Sequence, residues 1–257
     1  MELVISKIRH VFGAMPVLED IDFTVREGEI VAVIGPSGCG KSTLLGILGG
    51  LLAPQSGTVA THGAVPPDCL NSITYVFQDF ALLPWLTVYQ NVEIVLRHHR
   101  LSAGEMRTRI GDALARMGLS DFANLFPKQL SGGMRQRCGI ARALVVRPAV
   151  LLLDEPLSAL DAQTRELLMG DFLDLWGREK TTAVYVTHNL DEALRLADRV
   201  IVLSRRPGRV KEVVAITLPR DERATPAGIS ILDEQRKRLW DLIRSEAMIA
   251  DRELTNV

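Results

Sequence analysis

The first stretch of this sequence whose residue types and spacing could do chemistry is a glycine-rich run. Residues 35–43 read GPSGCGKST, an unbroken match to G-x-x-x-x-G-K-[S/T], and lie between an apolar run and a helical pattern. In such a loop backbone N–H groups turn toward phosphate oxygens, Lys41 neutralises charge, and Ser42 can bind Mg²⁺. We therefore predict a nucleotide site formed by Gly35, Pro36, Ser37, Gly38, Cys39, Gly40, Lys41, Ser42 and Thr43. The alternative is a glycine-rich turn that binds nothing.

Two later apolar runs end in residues that could act on a nucleotide. Asp154 and Glu155 follow LLL at 151–153, and His188 ends the run TTAVYVTH. Asp154 is placed to hold Mg²⁺, often through water, and Glu155 to orient or deprotonate an attacking water. A neutral His188 could donate a hydrogen bond to a terminal phosphate oxygen. The alternatives are surface or helix-capping carboxylates and a structural histidine.

A second predicted anion site lies at the run LSGGMRQR, residues 130–137. Ser131 has the side chain of a helix N-cap, and Gly132 and Gly133 allow close approach of the backbone to a ligand. The helix that follows should end before Pro148. Because the chain already has one nucleotide loop, we predict that this second helix start serves the nucleotide of another molecule. The alternative is a capped helix with no further role.

The elements that must position these residues are those of an α/β fold. The runs 29–35, 149–155 and 181–188 are almost continuously apolar, which is typical of buried parallel strands with chemistry at their carboxyl ends. Between the first two runs, residues from about 87 to 148 follow helical patterns. Capping boxes are predicted at Thr87 and Ser102, and Gly118 should end the helix that starts after Ser102.

The segment after residue 199 predicts an edge hairpin followed by one long helix. VIVLS, the turn RRPGRV and KEVVAITL form the hairpin pattern. In the last part of the chain a loosely amphipathic helix is predicted from Ile231, Leu239, Leu242, Ile243 and Met248, and packing is its expected role.

Residues 76–92, VFQDFALLPWLTVYQNV, form a loop that is unusually apolar. The run has no strand period, and Pro84 is incompatible with a central strand. Such a loop either packs on its own domain or is a surface that a partner covers.

Bulk composition excludes some classes of partner. The formal net charge of the 257 residues is −1, which argues against nucleic-acid binding and against electrostatic attraction to anionic lipid. No apolar stretch approaches the roughly 18 residues of a membrane-spanning helix, and no secretory signal is expected at the N-terminus. Cys39, Cys69 and Cys138 lack metal-ligand spacing and are expected to be small packing residues of a cytosolic protein.

Together these motifs resemble the nucleotide-binding subunit of an ABC transporter, and they occur in that family's order over residues 3–218. The landmarks are Walker A at 35–43, Gln78 in YVFQDF, the signature LSGGMRQR, Walker B LLLDEP, the D-loop SALD ending at Asp161, and the switch residue His188. The sequence departs from the family at Met134 and at Cys138-Gly139, and a mid-helix glycine should cost about 1 kcal/mol relative to alanine.

The resemblance implies a P-loop NTPase core with a parallel sheet, an N-terminal antiparallel β-subdomain and an inserted α-helical subdomain. It implies a nucleotide-binding domain at 1–218, with the helical part at about 87–148, and a C-terminal helical extension at 219–257. ATP and Mg²⁺ are the implied cofactors. Gln78 would contribute to the Mg²⁺ and γ-phosphate region, and Phe12 would stack on adenine, although the family more often has Tyr there.

The resemblance also implies partners. Two such subunits, identical or paired, would bind two ATP molecules head to tail, with Ser131, Gly132 and Gly133 of each facing the P-loop of the other and Asp161 coupling the two sites. The apolar segment from Phe80 to Leu86 would contact separate transmembrane permease subunits, which would hold the protein at the cytoplasmic face of the membrane.

LLPWLTVYQNV and LSRRPGRV resemble the importer branch for nitrate, sulfonates, taurine and bicarbonate, which works with an extracytoplasmic substrate-binding protein. The short segment after KEVVAITL also favours that branch over sugar importers. The alternatives are an exporter or lipid-trafficking ATPase, a soluble ABC protein outside transport, and a P-loop kinase or GTPase.

Overall fold

The computed structural model describes residues 1–158, 160–178 and 181–254. The strands are β1 (Glu2–Phe12), β2 (Met15–Val25), β3 (Ile30–Ile34), β4 (Ser56–His62), β5 (Ile73–Val76), β6 (Val150–Asp154), β7 (Thr182–Val186), β8 (Arg199–Leu203) and β9 (Val210–Ala215). The α-helices are α1 (Lys41–Leu48), α2 (Val88–Glu93), α3 (Ala103–Arg116), α4 (Gly132–Leu144), α5 (Ala162–Arg178), α6 (Leu190–Leu196) and α7 (Pro226–Leu254). Short 3₁₀ helices occupy Ile94–Leu96, Ser120–Phe122 and Pro127–Gln129.

The strands form two sheets. The larger has six strands in the order β5-β6-β7-β3-β8-β9, parallel except for β9, which pairs antiparallel with β8 at the edge. The smaller has three antiparallel strands in the order β2-β1-β4. The predicted α/β class, the parallel strands, the N-terminal antiparallel sheet and the edge hairpin are all confirmed.

Alternation along the central strands divides the core between two faces of the larger sheet. In β3, Ile30, Ala32 and Ile34 pack with the helices between β5 and β6 and with α5, α6 and α7. Val31 and Val33 pack on the other face with α1 and the three-stranded sheet. Because both faces are covered, the central strands are mostly apolar, and the Thr182 and Tyr185 hydroxyls of β7 are hydrogen-bonded.

The segment between β5 and β6 is helical as its caps predict. Thr87 and Ser102 both form capping boxes, with Gln90 and Glu105 as their partners. Gly118, at φ 62, follows the end of α3 in the left-handed conformation that favours glycine. The helix α4 ends at Leu144, earlier than Pro148 requires.

The C-terminal helix α7 packs on α6 and β8, although the predicted face is wrong in part. Leu232 and Leu239 are buried, whereas Ile231 and Met248 are exposed. At about 100° per residue, Ile231 lies a quarter turn from Leu232, and Met248 lies on the side opposite Leu239. Within the described residues, no helix has the length and apolar character needed to cross a bilayer.

Arg223 joins this C-terminal segment to the core. Its side chain is 2% exposed and donates hydrogen bonds to five backbone carbonyls. These belong to Leu194, Arg195, Ala197, Ile216 and Leu218. Burial lowers the pKa of the guanidinium to about 10. The carbonyls at the end of α6 and after β9 are therefore satisfied by one buried cation.

We predict that Arg223→Met lowers the free energy of unfolding by about 2–4 kcal/mol, because it leaves several buried carbonyls without a donor. Arg238→Met is a matched control, since Arg238 is an exposed residue of α7 paired with Glu212, and it should cost less than about 1 kcal/mol. Urea unfolding followed by circular dichroism compares the two variants. Equal midpoints for both variants would show that Arg223 is not a structural link.

Candidate functional site

The predicted phosphate loop connects β3 to α1 at the carboxyl edge of the larger sheet. Gly40 precedes α1 at φ 106, and a Cβ on it would lie 2.7 Å from Leu18 Cδ2. Gly38, at φ 75, borders open space. At Gly40 both the left-handed φ and the lack of room for a Cβ favour glycine. At Gly38 the left-handed φ alone favours it.

Lys41 is held inside this loop. Its side chain is 7% exposed, and its ammonium donates hydrogen bonds to the carbonyl oxygens of Gly35 and Pro36, at 2.9 and 3.2 Å. A buried ammonium needs such partners because desolvation penalises its charge. The loop thus carries a positive charge at its centre and keeps a folded shape through its own residues.

Asp154 lies beside the first turn of α1. Ser42 Oγ donates to Asp154 Oδ1 at 3.1 Å, and Tyr75 Oη donates to Asp154 Oδ2 at 2.9 Å. Burial, and then the Asp154 charge, raises the pKa of the Tyr75 phenol, so Tyr75 remains a donor. The Ser42 hydroxyl and the Asp154 carboxylate are hard oxygen ligands that suit Mg²⁺, which takes few protein ligands beside water and phosphate.

Glu155 and His188 form a pair at the ends of β6 and β7. Glu155 Oε2 lies 3.1 Å from His188 Nδ1, and the Glu155 backbone has the left-handed φ of 45. Strain of this kind is often held at functional sites. A neutral His188 that donates Nδ1–H to Glu155 has no proton on Nε2. Donation from a neutral His188 to a phosphate oxygen therefore requires this pair to separate.

One cleft of about 380 Å³ gathers much of the predicted site. Lys41, other residues of the phosphate loop and Glu155 give it a polar lining. Phe12 also lines it, is 51% exposed and is paired across the β1–β2 hairpin with Met15. The cleft therefore combines an anion-binding loop with an exposed aromatic ring, an arrangement that fits a nucleotide.

The signature and the D-loop residue Asp161 lie together, and none of their residues lines that cleft. Ser131 caps α4 by accepting from the Met134 N–H. Asp161 accepts hydrogen bonds from the Thr164 N–H and hydroxyl, which lower the pKa of its carboxyl. A Cβ on Gly133 would lie 2.6 Å from Thr164 Cγ2. Ala159, between Ser158 and Asp161, is outside the described residues.

Gln78 is exposed and is not joined to the cleft in this structure. Within the described part of the chain it makes no hydrogen bond with Ser42, Asp154 or Glu155. The aromatic residues on either side have different surroundings, since Phe77 is exposed and contacts Tyr75, while Phe80 packs on the helical core.

Phe80 explains the glycine in the signature helix. A Cβ on Gly139 would lie 2.5 Å from Phe80 Cδ1, so the ring packs directly on the backbone of α4. One turn later, Arg142 donates to the carbonyl oxygens of Phe80 and Ala81. The segment after Gln78 is thus attached to α4 at two successive turns.

The rest of the apolar loop is fixed by Asn91, which is fully buried. Its side chain accepts from the Leu83 N–H at 2.8 Å and donates to the carbonyls of Leu83, Leu86 and Thr87. Trp85, between these attachment points, is 69% exposed. Leu82 packs on the helical core, as Phe80 does. Of the predicted partner surface from Phe80 to Leu86, Phe80 and Leu82 are therefore packing residues, and Trp85 is its exposed large side chain, with Ala81 and Pro84 also exposed.

Sequence patterns did not identify four residues with structural or site contacts: Tyr75, Asn91, Arg142 and Arg206. Of these, Arg206 lies in the β8–β9 turn and lines the cleft. Tyr75, Arg142 and Arg206 act through contacts with residues distant in sequence, whereas Asn91 acts on a loop four to eight residues before it. Tyr75 has a signal in its own sequence neighbourhood, because it places a hydroxyl group near the carboxyl end of the short edge strand β5.

The chain is similar in sequence to known proteins. A family model described as ABC transporter matches residues 18–158. A bicarbonate transport ATP-binding protein of Synechocystis sp. is 44% identical over 214 residues, which cover 81% of this chain and 76% of that protein. An uncharacterized ABC transporter ATP-binding protein of Methanocaldococcus jannaschii is 44% identical over 232 residues, which cover 90% of this chain and 85% of that protein.

Solved structures are also similar. The dimeric structure of a bacterial ABC transporter cassette has a TM-score of 0.73 at 34% identity and covers 84% of this chain and 100% of that chain. A dimeric post-hydrolysis state of an ATP-binding cassette with ADP and Pi has a TM-score of 0.73 at 33% identity, with the same shares of both chains. These similarities confirm the predicted P-loop NTPase fold.

We predict that Gly139→Ala lowers the free energy of unfolding by about 1–3 kcal/mol, because the added methyl group displaces Phe80 from α4. Gly111→Ala in α3 is the control, since a Cβ there meets no atom within 4 Å. The control should gain about 1 kcal/mol from helix propensity alone. Thermal unfolding distinguishes the two, and stabilisation by both substitutions would contradict the close packing of Phe80.

Proposed function

The chain belongs to the ABC transporter family and is an ATPase of that family, and from this we propose that it powers the uptake of a small solute through separate permease subunits. The proposed solute is bicarbonate or a related small compound such as nitrate, taurine or another sulfonate. Support for this importer branch comes from the relative described as a bicarbonate transport ATP-binding protein. The loop LLPWLTVYQNV and the turn RRPGRV favour the same branch.

The observation that carries the proposal is the single cleft that joins Phe12, the phosphate loop and Glu155. In the proposed site Phe12 contacts adenine, backbone N–H groups of the loop contact phosphate oxygens, and Lys41 neutralises charge. Lys41 exchanges its bonds with the Gly35 and Pro36 carbonyls for bonds to phosphate.

Hydrolysis is assigned to the pair Glu155 and His188. Glu155 orients the attacking water and accepts its proton, and His188 contacts the terminal phosphate after the pair separates. Ser42 and Asp154 would hold Mg²⁺, which would neutralise charge that develops on the phosphate oxygens, and Gln78 would contribute to the same region.

A second copy, or a paired subunit, is proposed to complete each site. Ser131, Gly132 and Gly133 lie away from the cleft of their own chain, so they are available to the nucleotide of a partner. The similar cassettes are described as dimeric, which supports this arrangement. Asp161, linked to Gly133 through Thr164, would couple the two sites.

Trp85 is proposed as the centre of the permease contact. The exposed indole stands on a segment whose ends are fixed by Asn91, so a force on it is transmitted to α2. In this proposal the permease holds the protein at the cytoplasmic face of the membrane. The extracytoplasmic substrate-binding protein acts on it indirectly.

We predict that Glu155→Gln retains ATP binding and lowers the hydrolysis rate about 100-fold or more, because glutamine cannot accept the proton. With ATP and Mg²⁺ the variant should accumulate as a dimer, measured by light scattering coupled to size exclusion. Glu166→Gln is the control, since Glu166 is an exposed partner of Arg195, and it should hydrolyse ATP normally. A folded Glu155→Gln protein that stays monomeric would argue against the dimer mechanism.

We predict that Trp85→Glu leaves folding and nucleotide affinity unchanged and prevents assembly with the permease. Leu82→Glu, which buries a charge in the helical core, should instead lower the melting temperature. Co-purification of membrane subunits from detergent extracts, together with thermal unfolding, separates these outcomes. Full recovery of the membrane subunits with Trp85→Glu would remove Trp85 from the interface.

A further inference from the structure

An arginine from the β8–β9 turn contributes to the nucleotide cleft. Arg206 lines the cleft with Phe12, and its Nη1 lies 2.9 Å from Met15 Sδ. Met15 is the cross-strand partner of Phe12. The guanidinium therefore shares the cleft with Phe12 and contacts the residue that pairs with Phe12 across the hairpin.

The turn that carries Arg206 is fixed to the phosphate loop. The Gly208 N–H donates to the Val17 carbonyl at 2.8 Å, and the Glu19 N–H donates to the Gly208 carbonyl at 3.0 Å. A Cβ on Gly208 would lie 2.3 Å from the carbonyl oxygen of Cys39. Because the turn touches both the β2 strand and the phosphate loop, the position of Arg206 relative to the cleft is set by the fold.

Among the described residues, Arg206 and its neighbour Arg209 differ in whether a carboxylate pairs with the guanidinium. Arg209, in the same turn, forms an ion pair with Glu19 at 2.9 Å. Arg206 is exposed, and within residues 1–158, 160–178 and 181–254 its side chain has the Met15 thioether as a contact and no carboxylate partner. A planar cation in the same cleft as an exposed aromatic ring, with no carboxylate partner among the described residues, is suited to stack on an aromatic base.

We propose that Arg206 is a purine-binding residue of this ATPase, whose guanidinium stacks against the base that Phe12 also contacts. The inference rests on the proposed contact between Phe12 and adenine. In this proposal the turn RRPGRV forms the side of the cleft that faces the base. Phosphate binding stays with the loop and Lys41, so Arg206 acts on affinity for the nucleoside half of the ligand.

The test compares the binding of ATP and of inorganic tripolyphosphate, measured by calorimetry on the full chain without Mg²⁺ so that hydrolysis does not interfere. Arg206→Ala should weaken ATP binding about fivefold to tenfold, a change in the range of a partly desolvated cation–π contact. Binding of tripolyphosphate should stay within about twofold of the wild type. Arg206→Lys should lie between, because lysine keeps the charge and loses the planar stack. Arg209→Ala is the matched control and should bind both ligands normally.

Two results would overturn the inference. Equal loss of ATP and tripolyphosphate affinity in Arg206→Ala would place the guanidinium at the phosphates, and unchanged ATP affinity would remove it from the site. Phe12→Ala, measured in parallel, keeps the proposals apart. If Phe12→Ala weakens ATP binding and Arg206→Ala does not, the role of Arg206 is contradicted and the proposed nucleotide site is still supported. A wild-type protein that binds no ATP would contradict the proposed nucleotide site itself.

Discussion

A sheet that is covered on both faces carries polar side chains where its strands end, and within a strand only when they are hydrogen-bonded. In β3, β6 and β7 every residue is apolar or hydrogen-bonded until the carboxyl edge, where the phosphate loop, Asp154 and the segment after Val186 emerge. This burial gathers residues that are far apart in sequence along one edge. The strand β6 lies between β5 and β7, and its register with β5 brings Tyr75 within hydrogen-bond distance of Asp154.

Outside the sheet, three buried or half-buried side chains fix segments that lack regular structure. Arg223 satisfies carbonyls at the end of α6, Asn91 holds the loop around Trp85, and Arg142 holds the segment after Gln78. Each replaces hydrogen bonds that a helix or strand would have supplied. Burial lowers the pKa of the Arg223 guanidinium and, less deeply in the fold, that of the half-buried Arg142.

Sequence patterns predict the parts of this protein in which local chemistry decides the structure. The phosphate loop depends on glycine conformations, the strands on continuous apolar runs, and the helix starts at Thr87 and Ser102 on their own caps. They miss contacts that join distant segments. Gly139 is unfavourable within α4 alone, and its reason is the Phe80 ring, which comes from a loop far earlier in the chain. The exposed side of α7 is missed for the same reason, because α6 decides which face is covered.

The hydrogen bonds from the Lys41 ammonium to the Gly35 and Pro36 carbonyls bear on how the cleft binds its ligand. The ammonium has already lost most of its water, and the loop around it is already curled. The ordering cost of this part of the site is therefore met during folding, before any nucleotide arrives. In the proposed site, phosphate binding then becomes an exchange of hydrogen-bond acceptors by Lys41 within a loop that is already ordered.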